Sequence, residues 1–237
     1  MNRQFEPLVQ AASRLFLKGG IYPWQFAWWK LRLDPVFLSL LQRGWLPDRG
    51  RLVDVGCGQG VLLALLVAAR EQYRRGDWPS DWAPPPLNLE LQGLERRRDR
   101  VWVAQRALRE AARVDRCDVR EVVFPPCAAI ALLDLLLYLR SDDQQQLLEK
   151  AAAALEPGGL LLLREADAAA GLAYQVTRWS ARLSAMGTGG LWPEIHCRSA
   201  PEWVSLLEML GFSVAATEPM SEGTPFANVL FIARKKT

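Results

Sequence analysis

Three glycines at alternate positions, Gly56, Gly58 and Gly60, stand between a short apolar run and a Leu- and Ala-rich one in VDVGCGQG (Val53 to Gly60). No side chain obstructs such a turn, so backbone N–H groups and a helix N-terminus can face a nucleotide-like ligand. The spacing is G-x-G-x-G. Val61 stands where the dinucleotide fingerprint G-x-G-x-x-G would place its third glycine, which argues against NAD or FAD. Asp54, one residue before the turn, sits where a carboxylate can accept hydrogen bonds from a cationic ligand or its waters. Glu95 closes the second strand-like run. An acid at the carboxyl end of a strand in a doubly wound sheet can accept from both ribose hydroxyls. Against these readings stand an ordinary strand-to-helix turn and a surface glutamate beside Arg98.

Proton transfer needs a different set. Asp134, Tyr138, Glu165, Asp167, Tyr174, Glu194 and His196 lie at predicted strand ends or in a late segment, where a general base would be needed if a nucleophile must lose a proton. His196 is the only one of these whose ordinary pKa lies near neutrality. It sits in WPEIHC (Trp192 to Cys197) and reads equally well as a structural hydrogen-bonding group. The four cysteines, Cys57, Cys117, Cys127 and Cys197, form no C-x-x-C pair, and the chain holds one histidine, so no metal site is expected.

The elements that must position these residues alternate. Strand-like runs read at Leu52–Val55, Leu89–Leu94, Val114–Cys117, Ala129–Leu133, Leu160–Arg164, Phe212–Thr217 and Asn228–Ala233, with helical segments between them, the pattern of a parallel α/β sheet. A helix is predicted over Val61 to Arg70, and GDWPSDWAPPPLN (Gly76 to Asn88) reads as a surface loop. Ser141 with Gln144 predicts a capping box for the helix after the fourth strand, which should stop at Glu156-Pro157-Gly158-Gly159. Ser199, before Pro201 and Glu202, opens another helix that closes at Gly211. Residues 1–48 read as helical and carry Phe16, Tyr22, Trp24, Phe26, Trp28, Trp29, Phe37 and Trp45. Two readings stay open for them. One is a cap or lid packed on the sheet; the other is a surface that touches a membrane or carrier protein, since Trp24, Trp28 and Trp29 beside Lys18, Lys30 and Arg32 suit an interfacial helix.

The ordered set resembles class I S-adenosylmethionine (SAM) methyltransferases. VDVGCGQG is similar to their first motif, an acid followed by G-x-G-x-G, and the likeness runs from about Leu52 to the C-terminus through AIALLDLLLYL (Ala129 to Leu139), LEPGGLLLLRE (Leu155 to Glu165) and RSAPEWVSLLEMLGFSV. The resemblance implies a single domain over 1–237. It would comprise a Rossmann-like seven-stranded, mostly parallel sheet with an antiparallel last strand and helices on both faces. A helical cap (1–48) would precede the core (49–237). It also implies that Asp54, Gly56, Cys57, Gly58 and Gly60 line the cofactor, that Glu95 holds ribose, and that Asp118, with Val119, meets adenine. Asp134 would lie beside the methionine portion and the substrate mouth, with Asp134, Tyr138 and His196 as catalytic candidates. The chain departs from the family where Ala128 replaces a frequent Asp and where Leu137 precedes Tyr138 in place of a frequent His.

Composition narrows the rest. Half the residues are hydrophobic and the net charge is only +3, which fits a globular enzyme and not a disordered chain. The Arg96, Arg97, Arg98 and Arg100 cluster has only Trp102 nearby, so a solvated helix face is expected there and no nucleic-acid partner. Unpaired cysteines and the absence of a signal peptide or spanning segment point to the cytoplasm. Trp179, Met186 and Trp192 with the N-terminal aromatics suggest an apolar or aromatic small-molecule acceptor. Overall similarity to small bacterial methyltransferases of aryl-polyene pigment biosynthesis implies a phenolic or carrier-protein-bound acceptor. The rival readings are a SAM-fold protein that acts only through a partner and a nicotinamide oxidoreductase.

Overall fold

The computed structural model describes residues 3–186 and 194–236. Seven strands form one sheet with hydrogen-bonded neighbours in the order β3-β2-β1-β4-β5-β7-β6. They are β1 (Arg49–Val55), β2 (Asn88–Glu95), β3 (Arg113–Arg116), β4 (Cys127–Leu133), β5 (Leu155–Ala166), β6 (Phe212–Pro219) and β7 (Asn228–Lys235). All seven predicted runs are strands. β1, β2 and β3 pair in parallel, whereas β7 runs antiparallel to both β5 and β6. The chain divides into two compact units, one of residues 1–122 with 126–131, the other of 123–125 with residues from 132 onward.

In the first unit the helices are α1 (Glu6–Arg14), α2 (Ile21–Leu33), α3 (Pro35–Arg43), α4 (Val61–Arg75) and α5 (Arg98–Leu108). β1 begins exposed and ends with Leu52 to Val55 buried, so its apolar half leads directly into the glycine turn. Val61 to Leu66 of α4 are all buried, which anchors the helix that leaves that turn. α4 runs five residues past the predicted Arg70 because EQYRR is a good helix former, and it stops at Gly76 (φ 80°) with the Asp77 N–H on the Gln72 carbonyl at 3.0 Å. Among the N-terminal aromatics, Phe16 and Phe37 are buried, as packing predicts; Tyr22, Phe26 and Trp29 are exposed.

The second unit holds α6 (Ser141–Ala154), α7 (Gly171–Met186) and α8 (Ala200–Met209). Ser199 caps α8 as predicted: its side chain takes the Glu202 backbone N–H, and the Glu202 carboxylate accepts from the Ser199 N–H at 2.7 Å. The predicted box at Ser141 does not form. Arg140 occupies the cap position without a side-chain bond, and Gln144 turns inward. Its Nε2 lies 3.0–3.1 Å from the carbonyls of Leu136, Leu139 and His196, and its Oε1 accepts from Arg198 at 3.0 Å. The physical reason is the position beside the 3₁₀ turn at Leu136–Tyr138, where the Gln144 amide reaches three backbone carbonyls at once. α6 also ends at Ala154, before the predicted stop, because β5 starts at Leu155.

Ser199→Ala is therefore expected to cost about 1 kcal/mol of stability, whereas Ser141→Ala should stay within about 0.5 kcal/mol of wild type. Urea unfolding of the two variants checks this; equal losses would contradict the capping assignment.

Candidate functional site

In the first unit the glycine turn hangs on the end of β2. The Gly56 and Cys57 N–H groups donate to the Leu94 carbonyl at 2.8 and 3.1 Å, and the Gly60 N–H donates to the Cys57 carbonyl at 2.8 Å. Gly56, Gly58 and Gly60 have φ of 71°, 58° and 82°, the left-handed region that L side chains rarely adopt. Around Gly58 the space is open apart from Arg100 Nη1, 3.7 Å from where a Cβ would stand. Gly93 in β2 leaves room for the turn: a Cβ there would sit 2.8 Å from Cys57 Sγ and 2.9 Å from Leu63.

Two carboxylates lie under this turn. Glu95 is buried; one of its oxygens accepts from the Gly58 N–H at 3.0 Å and the other from the Arg97 N–H at 2.8 Å. Asp54 is 4% exposed, and its carboxyl makes no hydrogen bond among the described residues. Burial, with Glu95 beside it, pushes its carboxyl up to about 7. The same burial, with Asp54 and Glu95, holds the Cys57 thiol well above its usual range, so Cys57 packs as a neutral thiol.

Past β3, the Cys117 N–H donates to the Glu95 carbonyl at 3.0 Å, which sets Asp118 and Val119 next after the strand end that adjoins β2. Asp118 accepts from the Arg120 backbone N–H at 3.1 Å and from its guanidinium at 2.7 Å, and these bonds hold its carboxyl down at about 2. Val119 is buried. Gln59, at the crest of the turn, donates to the Pro23 carbonyl of α2 at 2.9 Å. Arg100 and Gln59 were not singled out from the sequence as site residues. Arg100 belongs to the arginine cluster read as a solvated face, and only the fold turns it toward Gly58.

The second unit collects the proton-transfer candidates. Asp134 follows β4 with φ 58°, a left-handed conformation uncommon outside glycine. Its N–H donates to the Arg164 carbonyl at 2.9 Å, and its carboxylate takes both arms of the buried Arg164 guanidinium, Nε at 2.8 Å. Glu165, fully buried, accepts from the N–H groups of Leu135, Leu136 and Leu137 at 3.1, 2.6 and 3.2 Å. Those bonds favour the carboxylate, but burial and the Asp134 charge outweigh them and push Glu165 up to about 8. Arg164 thus compensates Asp134, and Glu165 avoids becoming an uncompensated buried anion by keeping its proton.

Tyr138, half-exposed, directs its hydroxyl toward the Ala181 carbonyl of α7 at 3.5 Å. The His196 N–H donates to the Leu137 carbonyl at 2.9 Å, and its Nε2 lies 3.5 Å from the exposed Glu194 carboxylate. The Tyr174 hydroxyl bonds to Cys197, whose thiol burial pushes up to about 11. Asp167 is taken up structurally, accepting from the Ala169 and Ala200 N–H groups at 2.9 and 3.1 Å. Trp179 is exposed beside a cleft of about 570 Å³ that also touches Phe226. Trp192 lies outside the described residues, and the side chain of Met186 is likewise outside them. Among the described residues no group of three or more His, Cys, Asp or Glu could hold a metal ion.

A family model described as a methyltransferase domain matches residues 29–217. No curated protein matches the chain. Among solved structures, the fold is similar to an O-methyltransferase family 2 protein from Planctomyces limnophilus in complex with apigenin (18% identity, TM-score 0.62), covering 94% of this chain and 61% of that one. It is also similar to magnesium protoporphyrin IX methyltransferase from Synechocystis with bound S-adenosylhomocysteine (18%, 0.60, covering 87% and 83%). A third is human N-acetylserotonin methyltransferase in complex with SAM (17%, 0.60, covering 94% and 56%). The chain thus spans about three fifths of the length of the first and third of these proteins. At these identities the likeness is one of fold.

The buried acids predict a sign for stability against pH. Unfolded, Glu165 ionises near 4.5; folded, it keeps its proton to about 8. Its contribution is complete below the lower value and is lost as pH rises through the upper one. Relative to Glu165→Gln, wild type should therefore lose melting temperature steadily between about pH 5 and 8. A gap independent of pH would show that Glu165 is ionised in the fold.

Proposed function

Because this chain belongs to the methyltransferase-domain family, we propose that it is a SAM-dependent methyltransferase acting on a small apolar or aromatic acceptor. The observation that carries this reading is the pair of buried acids, Asp54 and Glu95, set against a turn of left-handed glycines. A buried carboxyl without a partner is costly, and a cationic ligand with hydroxyl donors would satisfy both acids at once. When bound, SAM supplies a methyl group already activated by its sulfonium.

The chain's own residues then have limited tasks: bind, align and exclude water. In this reading Gly56, Cys57, Gly58 and Gly60 let the backbone approach the ligand, and Asp54 balances its positive charge. Glu95 keeps lone pairs for the ribose hydroxyls beyond its two backbone bonds, and Asp118 with Val119 meets the adenine edge. Arg120 holds Asp118 ionised, hence able only to accept.

On the acceptor side, Arg164 occupies both oxygens of Asp134, so Asp134 serves as a fixed support. That leaves His196 Nε2 to take a proton from an acceptor hydroxyl, with Glu194 stabilising the imidazolium that forms. Tyr138 and Tyr174 supply rings and hydroxyls on the same unit. Apigenin bound in one protein of similar fold, and N-acetylserotonin in the name of another, support an aromatic acceptor class.

Calorimetric titration with S-adenosylhomocysteine tests the cofactor. Wild type should bind in the micromolar range, about −8 kcal/mol, and Glu95→Ala should lose at least about tenfold. Binding of SAM should tighten as Asp54 ionises near pH 7, and Asp54→Asn should flatten that dependence. Folded wild type that binds neither ligand would overturn the reading. With hydroxylated aromatic acceptors, His196→Ala should lower kcat by about 10²-fold or more, with binding of the cofactor product unchanged.

A further inference from the structure

α2 turns its apolar side outward. Ile21, Tyr22, Phe26, Trp29 and Leu33 are exposed by 68, 78, 43, 53 and 62%, whereas the helix buries only Ala27 and Leu31. At about 100° per residue these five fall on one stripe about 140° wide, centred near Trp29, with Gln25 and Arg32 as its polar members. Lys30 stands about 40° beyond one edge. No acid lies within the stripe, and from Arg14 to Asp34 the chain carries four cations and one carboxylate.

The nearby acids are already held. Asp34 pairs with Lys30 at 2.8 Å, and Glu6 pairs with Arg32 at 3.0 Å while Arg32 stacks on Trp28. Arg14 and Lys18, both exposed, have no carboxylate partner among the described residues. Arg14 also lines a cleft of about 520 Å³ with Trp24, Trp28 and Trp29, which sets a cation beside the centre of the stripe. No helix among the described residues is long and apolar enough to cross a membrane.

We propose that α2 is an interfacial helix that docks this protein on an anionic lipid surface, with Phe26 and Trp29 entering the acyl boundary and Arg14 and Lys18 meeting headgroups. An exposed stripe with Trp and Tyr, Lys30 beyond one edge and Arg14 beside Trp29 brings together residue types that suit a lipid interface. Charge separates this occupant from a second copy of the chain. A second copy would bring only the same cations, Arg14 and Lys18, to the contact, whereas an anionic surface supplies the counter-charge they lack. The inference is independent of the reaction catalysed.

Sedimentation of the full chain with phosphatidylcholine vesicles, with and without phosphatidylglycerol, tests it. Wild type should pellet with the anionic vesicles, with a blue shift of tryptophan emission, and raised salt should weaken binding. Phe26→Glu/Trp29→Glu should lower the apparent affinity at least about tenfold and Lys18→Ala about fivefold, with circular dichroism and melting unchanged. Should the double variant misfold, Trp29→Ser alone gives the same readout. Failure of folded wild type to bind anionic vesicles would overturn the proposal, as would binding indifferent to these substitutions. A concentration-dependent dimer that Phe26→Glu/Trp29→Glu dissolves, without vesicle binding, would also overturn it and assign the stripe to a second copy.

Discussion

The end of β2 bears the glycine turn, and the first unit's site depends on that attachment. Leu94 gives its carbonyl to two N–H groups of the turn, and Glu95 gives a carboxylate oxygen to a third, at Gly58. Two of those N–H groups belong to left-handed glycines, Gly56 and Gly58, that no regular element could satisfy. Without Glu95 the Gly58 N–H would lose its partner, and without a bare Gly93 the Cys57 side chain would have no place to lie. The residue that orders the turn is also the buried acid beside Asp54, so the electrostatic cost of the site and its shape come from one side chain. Acids are tolerated there because a raised pKa keeps Asp54 neutral over much of the acidic range.

The second unit solves a related problem by pairing. Arg164 is buried at the end of an apolar strand and would be untenable alone. Asp134 reaches it only by adopting a left-handed backbone, which also lets its N–H meet the Arg164 carbonyl. The turn that follows presents three N–H groups to Glu165, and Gln144 collects the carbonyls on its far side together with that of His196. Strand, turn and the segment bearing His196 are thus fixed by a few buried polar groups, each of which has another to satisfy it. This makes the position of His196 a consequence of Gln144, a residue whose role in the chain looks at first like helix capping.

That contrast shows what the chain discloses before folding. The strands were legible because apolar runs such as LLLL and AIALL are bounded by Gly, Pro and charged residues, and the glycine turn because its spacing has few other uses. Ser199 was legible because Pro201 and Glu202 leave it no competing role. Ser141 was not: the same local pattern S-x-x-Q is overridden when buried carbonyls elsewhere need the Gln amide. The Asp134–Arg164 pair was also hidden, since its members are thirty residues apart and Arg164 reads as the polar end of a strand. Arg100 was hidden among four arginines until the start of α5 turned it toward Gly58.

α2 marks the limit of pattern reading most sharply. Apolar residues lie all around it, so periodicity cannot say which side is buried, and the smaller side chains, Ala27 and Leu31, take the inside. Small residues inward allow close approach, and α2 uses it: the Pro23 carbonyl accepts from Gln59 of the glycine turn. Proline suits that position because its ring occupies the first turn, where an N–H would have no intrahelical partner, and the second lone pair of its carbonyl takes the Gln59 amide. One helix therefore carries the exposed aromatic stripe and, on another side, a direct hydrogen bond to the loop that would admit the cofactor. A displacement of α2 relative to the turn would lengthen the Gln59 bond. The exposed aromatic stripe and the Pro23 acceptor for Gln59 of the glycine turn thus belong to one helix.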